Sequence, residues 1–101
     1  MKFLVRPAFW LDLDRHHYWL AKHLGLELAE RWLEAVWNTV FFLRDHPEAG
    51  RLRRDLRHAG VRSWLVADFR RWTIFYGIKG EDLVLYRLEG GERDLRALAI
   101  G

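Results

Sequence analysis

The 101-residue sequence predicts an α+β fold: an N-terminal strand, an antiparallel helical hairpin packed on one face of a small antiparallel sheet, and a short C-terminal helix or tail. Three observations lead there. Apolar residues recur at helical spacing through the first half and alternate at strand spacing through the second. Only one or two residues separate the two helical patterns, which forces the helices to fold back on each other.

Taken in order, Lys2 to Arg6 reads as a short strand, and Pro7 sits where a helix can begin, because its missing N–H is not needed in a first turn. Ala8 to Leu24 is helical, with Phe9, Leu13, Leu20 and Leu24 on one face, and Gly25 closes it. Leu26 to Asp45 carries the strongest periodic pattern: Leu28, Ala29, Trp32, Leu33, Val36, Trp37, Val40 and Phe41 form a stripe, opposite Glu27, Glu30, Arg31, Glu34, Asn38 and Arg44. His46-Pro47 stops it, and Glu48 to Gly60 is a polar connection.

Three strands follow. Val61 to Ala67 sets Val61, Ser63 and Leu65 against Arg62, Trp64 and Val66. Arg70 to Ile78 places Trp72, Ile74, Tyr76 and Ile78 together, and Leu83 to Glu89 sets Val84, Tyr86 and Leu88 opposite Leu85 and Arg87. Gly90-Gly91 breaks the last strand, and Glu92 to Ala99 is the final helix or tail. With one hairpin available, the second face of the sheet has no predicted cover and is expected to meet solvent or a partner. Residues 1–101 are read as a single domain, a length that supports one core of modest stability.

Composition narrows the function. Half of the residues are hydrophobic and 31% are charged, which is a folded composition rather than a disordered one. There is no Cys, so disulfide frameworks and cysteine-ligated zinc are excluded. The first seven residues do not form a signal peptide, and no apolar run is long enough to span a bilayer, so a cytoplasmic location and no membrane partner are expected. Residues 1–50 carry 6 Lys/Arg against 7 Asp/Glu, whereas residues 51–101 carry 11 against 7, and 10 of those 11 are Arg. An Arg-rich half suits recognition of phosphates or carboxylates.

Several ordered motifs then stand out: Pro7-Ala8, Asp12-Leu13, Gly25 with Ala29-Glu30, His46-Pro47-Glu48-Ala49-Gly50, Val61-Arg62-Ser63-Trp64, Thr73-Ile74-Phe75-Tyr76, Tyr86-Arg87-Leu88 and Gly91-Glu92-Arg93-Asp94-Leu95. As an ordered set spanning nearly the whole chain, they resemble the RelE/ParE toxin family, and its ParE-like branch in particular. The resemblance implies the toxin component of a type II toxin–antitoxin system, neutralised by a cognate ParD-like antitoxin in a hetero-oligomer. It implies DNA gyrase as the target, poisoned without a catalytic site of the toxin's own, and no cofactor. Gly90 departs from the pattern, since the family often has His there. RNA cleavage through the 2′-hydroxyl needs a base, an acid and cations. Were the chain instead a ribosome-dependent mRNA endoribonuclease, Arg62, Tyr86, Arg87 and Arg93 are the candidates, with no evident acid/base pair. A non-toxic binding module of the same fold is the third reading.

Further candidates follow from residue type. Arg51, Arg53, Arg54, Arg57, Arg62 and Arg71 are target-binding candidates, against the plainer reading of a charged surface. Arg62 and Arg87 could equally pair with Glu89, Asp94 or the tail, and Arg93-Asp94 reads best as a clasp. Trp10, Leu11, Tyr18 and Trp19 make the first helix apolar over too wide an arc for a lone surface helix, so with Trp64 they are antitoxin-binding candidates. His16 and His23 share a helix face, but no carboxylate stands at a ligand-like spacing beside both, so no metal is expected.

Overall fold

A computed structural model describes residues 1–91, and the predicted final helix or tail, Glu92 to Ala99, lies outside the described residues. Its elements are β1 (Lys2–Val5), α1 (Pro7–Leu24), α2 (Leu26–Asp45), β2 (Arg51–Leu52), β3 (Arg62–Val66), β4 (Phe69–Lys79) and β5 (Asp82–Gly90). Pro7 occupies the first turn of α1. Gly25 alone joins the helices: its N–H donates to Ala21 O, and its own carbonyl accepts from Ala29 N–H. One residue thus serves as the end of one helix and the start of the next.

The strands form one sheet in the order β1-β5-β4-β3-β2. β2 to β5 are antiparallel throughout, as the short connections require. β1 lies beside β5 in parallel, with Lys2 opposite Asp82 and Val5 opposite Leu85, so the sheet is mixed rather than purely antiparallel. The hairpin and the meander together carry the chain across between these two parallel neighbours.

The core lies between the hairpin and the sheet. Phe9, Leu13 and Leu20 of α1 and Ala29, Trp32, Val36, Val40 and Leu43 of α2 meet Val66, Ile74, Tyr76, Leu83, Leu85 and Leu88. Two positions of the predicted stripes differ. Leu24 is exposed at the hairpin turn, and Phe41 stays 44% exposed, set against Phe3 at 5.8 Å with the Arg44 guanidinium over both rings.

The predicted facing of β5 also differs. Leu88 joins Leu83 and Leu85 in the main core, while Val84 and Tyr86 face the other side. The cause is a register shift: Phe75 pairs with Arg87 and Tyr76 with Leu85, leaving Tyr86 as an extra residue. One inserted residue reverses the facing of everything beyond it. The sheet's second face is not bare, either. Leu56 and Val61, both in the β2–β3 connection, cover Phe75, Val84 and Tyr86 and form a second small apolar cluster.

Candidate functional site

The motif residues that stand far apart in sequence converge at two places. The first is the link after α2. The Tyr76 hydroxyl donates to Pro47 O at 2.8 Å and accepts the Gly50 N–H at 2.8 Å. Arg62 Nη1 donates to Gly50 O at 2.8 Å and to Glu48 O at 3.3 Å. A Cβ on Gly50 would lie 2.9 Å from Ser63 O and collide with the Tyr76 hydroxyl, so only glycine lets the link approach this closely. Burial raises the Tyr76 phenol above its ordinary pKa, while the Gly50 hydrogen bond and the Arg62 charge oppose that shift. The phenol therefore remains a donor. Tyr76→Phe is expected to leave Gly50 N–H and Pro47 O unpaired and to cost about 1–3 kcal/mol, measured by denaturant unfolding. An unchanged midpoint would show that this clasp adds nothing to stability.

The second place is the outer edge of β5, beyond the end of β1. Arg6 N–H still donates to Leu85 O, and after that point α1 takes over from the strand. Asp12 Oδ2 accepts the Leu88 N–H at 3.0 Å, and His16 Nε2 meets Leu88 O at 3.0 Å. These two helix residues, four apart, thus satisfy both backbone groups of one strand residue. Asp12 also receives Arg87 Nε at 2.7 Å and Arg87 Nη2 at 3.0 Å, with Arg15 Nη2 at 3.3 Å. Glu89 receives Arg87 Nη2 at 2.8 Å and Arg15 at 3.3 Å. Asp12 and Glu89 are 3% and 4% exposed, so two buried carboxylates are matched by two guanidinium groups. The Asp12 hydrogen bond is the main reason the Arg87 pKa lies above its ordinary value, against the opposing effect of burial.

His16 is shifted down from its ordinary 6.5, chiefly by burial; Arg15 acts in the same direction, while the Leu88 carbonyl, Glu89 and Asp12 oppose it. The folded state therefore holds His16 neutral where the unfolded chain would take up a proton. Its contribution is complete above pH 6.5 and declines as pH falls below 6.5 toward the lower folded value. Unfolding midpoints are expected to drop across that window, and His16→Gln should flatten the drop. A profile that is identical in the variant would remove His16 as its source.

Gly90 faces Trp72 across β4 and β5. A Cβ on Gly90 would lie 2.5 Å from Trp72 Nε1 and 2.8 Å from its Cδ1. The indole is held by Trp32 at 5.8 Å, His16 at 6.2 Å and Phe69 at 6.4 Å, and its N–H finds no acceptor among the described residues. It fills the space that a side chain at position 90 would need.

The candidates named from sequence are thus distributed as follows. Arg62 and Arg87 sit in the two clasps; for Arg87 this is the Glu89 pairing that the sequence offered as one option. Tyr86 is 5% exposed in the second apolar cluster. Arg93, and with it the Arg93-Asp94 clasp, lies outside the described residues. Arg53 is largely buried: its Nε and Nη2 hold Asp55 at 2.9 and 2.6 Å, and its guanidinium lies 5.6 Å from the centre of the Phe75 ring. Arg51, Arg54, Arg57 and Arg71 are exposed. Trp10, Leu11, Tyr18, Trp19 and Trp64 are 46%, 69%, 67%, 51% and 36% exposed. Trp10 leans on Trp37 at 5.6 Å, and Trp64 stacks on Phe42 at 5.6 Å and 20°. Phe42, 41% exposed, extends the aromatic surface around Trp64 and was not visible from periodicity alone. Among the described residues no group of three or more His, Asp or Glu side chains is arranged to hold a metal, and no helix is long and apolar enough to cross a membrane.

Asp12 was the residue that sequence reasoning missed as a functional group. Its signal was an acidic side chain on the apolar side of α1, one residue before Leu13 and four before His16.

Comparison with known proteins bears on the family and the fold. The family described as "ParE toxin of type II toxin-antitoxin system, parDE" matches residues 3–95. Toxin ParE3 of Caulobacter vibrioides is 33% identical over 86 residues, covering 85% of this chain and 82% of that protein. A solved structure described as the chromosomal ParDE TA system from P. aeruginosa superposes with a TM-score of 0.77 at 20% identity, covering 91% of this chain and 97% of that one.

Proposed function

Because the chain belongs to the ParE toxin family of type II toxin–antitoxin systems, we propose that it acts in the cytoplasm by poisoning DNA gyrase and is held inactive by a ParD-like antitoxin. The observation that carries the choice of target is the use already made of the candidate catalytic groups. Arg62 supports the link after α2, Arg87 neutralises Asp12 and Glu89, Tyr86 lies in an apolar cluster, and Trp72 fills the space beside Gly90. Nuclease chemistry needs a base, an acid and cations free to face a phosphorane. A binding surface needs only exposed groups, and Trp10, Leu11, Tyr18, Trp19 and Trp64 supply apolar ones. We assign these five to the antitoxin, whose amphipathic segment would cover them. The exposed arginines Arg51, Arg54, Arg57 and Arg71 are assigned to the target.

The test is induction without antitoxin, combined with a supercoiling assay on purified gyrase. Growth arrest with DNA-damage induction and inhibited supercoiling are expected, both reversed by the antitoxin. Discrete mRNA cuts by primer extension with normal supercoiling would replace this reading with the nuclease one.

A further inference from the structure

The nine residues 53–61, between β2 and β3, form a closed loop on the outward face of the sheet. Its ends meet where the Arg53 N–H donates to Val61 O at 2.8 Å. Leu56 anchors its middle in the second apolar cluster, and the His58 ring lies 5.5 Å from that of Tyr86. Compact loops pinned by their own side chains are frequent carriers of function. The charged residues of this one are Arg53, Arg54, Asp55 and Arg57. They divide by what they touch.

Arg53 is turned inward and is 9% exposed. Its Nε and Nη2 donate to Asp55 Oδ1 and Oδ2 at 2.9 and 2.6 Å, its Nη1 donates to Ser63 Oγ at 3.3 Å, and its guanidinium lies 5.6 Å from the centre of the Phe75 ring. A two-nitrogen grip on a carboxylate fixes direction as well as distance. Asp55 is held down to about 2, chiefly by its Arg53 hydrogen bond, so it stays ionised through the neutral range. Because the partners stand two positions apart, their pairing closes a tight turn with Arg54 between them. Arg54 and Arg57 are exposed and form no salt bridge among the described residues. With Arg53 and Asp55 cancelling, these two leave the loop at +2 with His58 neutral. The pair is poorly placed as a simple stabiliser, since the Asp55 side chain is 44% exposed, where ion pairs contribute little.

We propose that Arg53 and Asp55 are positioning residues for target binding: they make no contact with the target and hold the turn that presents Arg54 to it. The inference rests on the assignment of the exposed arginines to the target. The sign of the charge separates it from a plain electrostatic surface. Asp55 is the one acidic residue of the loop, so Asp55→Asn raises the loop charge from +2 to +3. A surface acting through charge alone would then hold an acidic target more tightly. A positioning pair requires the reverse.

The experiment compares the full-length protein with Asp55→Asn, Asp55→Glu, Arg54→Gln and the double variant Asp55→Asn/Arg54→Gln. Each is measured by the concentration that half-inhibits gyrase supercoiling and by growth arrest on induction, per folded molecule. Circular dichroism and antitoxin affinity measure folding. Asp55→Asn is expected to raise the half-inhibiting concentration about tenfold, the equivalent of one hydrogen bond to a charged group, with antitoxin affinity unchanged. Asp55→Glu, which keeps the carboxylate, should recover most of that loss. The double variant should be no weaker than Arg54→Gln alone, because the pair acts through that cation. Unchanged or stronger inhibition by Asp55→Asn would overturn the inference, as would losses that multiply in the double variant or that follow the folded fraction. Loss of antitoxin affinity in folded Asp55→Asn would also overturn it, by giving the loop to the antitoxin. Growth arrest that follows these variants while supercoiling stays normal would keep the positioning pair and remove the gyrase reading. A wild-type protein that neither inhibits supercoiling nor arrests growth would overturn both.

Discussion

Asp12→Ala is expected to lower the unfolding free energy by about 3–5 kcal/mol, the usual effect of removing one member of a buried ion pair. The carboxylate is 3% exposed and receives Arg87 through two nitrogens, Arg15 and the Leu88 N–H. Its removal leaves two guanidinium groups, Arg87 and Arg15, on the single carboxylate of Glu89, and takes the partner from a backbone donor on an edge that β1 does not reach. A domain of this size has about 5–15 kcal/mol in total, so the loss is a large share. Denaturant titration with circular dichroism measures it. A loss under about 1 kcal/mol, the range of an exposed pair, would show that the cluster is solvated rather than buried. This prediction bears on function. Arg87→Ala should lower stability by a similar amount and so reduce toxicity through the folded fraction, which means that loss of activity in that variant is not by itself evidence of catalysis. The informative comparison is toxicity per folded molecule, with antitoxin binding as the measure of folding.

Gly90→His, which installs the residue the wider family often carries there, is expected to destabilise the protein by about 3 kcal/mol, at the upper end for overpacking. The new Cβ alone would overlap the Trp72 indole, which three aromatic neighbours hold in place. Trp72→Leu should open that space. The double variant should then be more stable than the sum of the single effects by at least about 1 kcal/mol, the coupling of residues in contact. Strict additivity in this cycle would mean that Trp72 does not fill the position 90 volume. Neither variant is expected to cut mRNA, because the cations such a histidine would need remain in the two clasps.

The predicted elements were legible because they depend on neighbours close in the chain. The stripe from Ala29 to Val40, the lone Gly25 between helices and the alternation from Arg62 to Val66 are local patterns, and each produced the element it predicted. The ordered motifs also pointed to the right family, yet their meaning was not legible. Asp12 and Arg87 stand 75 positions apart, and Gly50 and Tyr76 stand 26 apart. Pairing across such distances is decided by how the layers stack, and no periodicity reports it. The Arg62 and Arg87 side chains looked like candidates for a target because arginine chemistry is the same whether it holds a phosphate, a carboxylate or the chain's own carbonyl oxygens.

The sequence by itself therefore determined the α+β class, the hairpin, the antiparallel run of strands and the family, because apolar period and turn residues act over a few positions. The second half, which drew attention through its arginines, divided only in three dimensions. Tertiary structure turned Leu88 inward through the extra residue at Tyr86 and drew Leu56 over the outer face. It paired β1 in parallel with β5 and buried Asp12 against Arg87. Each of these depends on which distant groups need a partner once water is excluded, since a buried charge or backbone group must be matched wherever in the chain its partner lies.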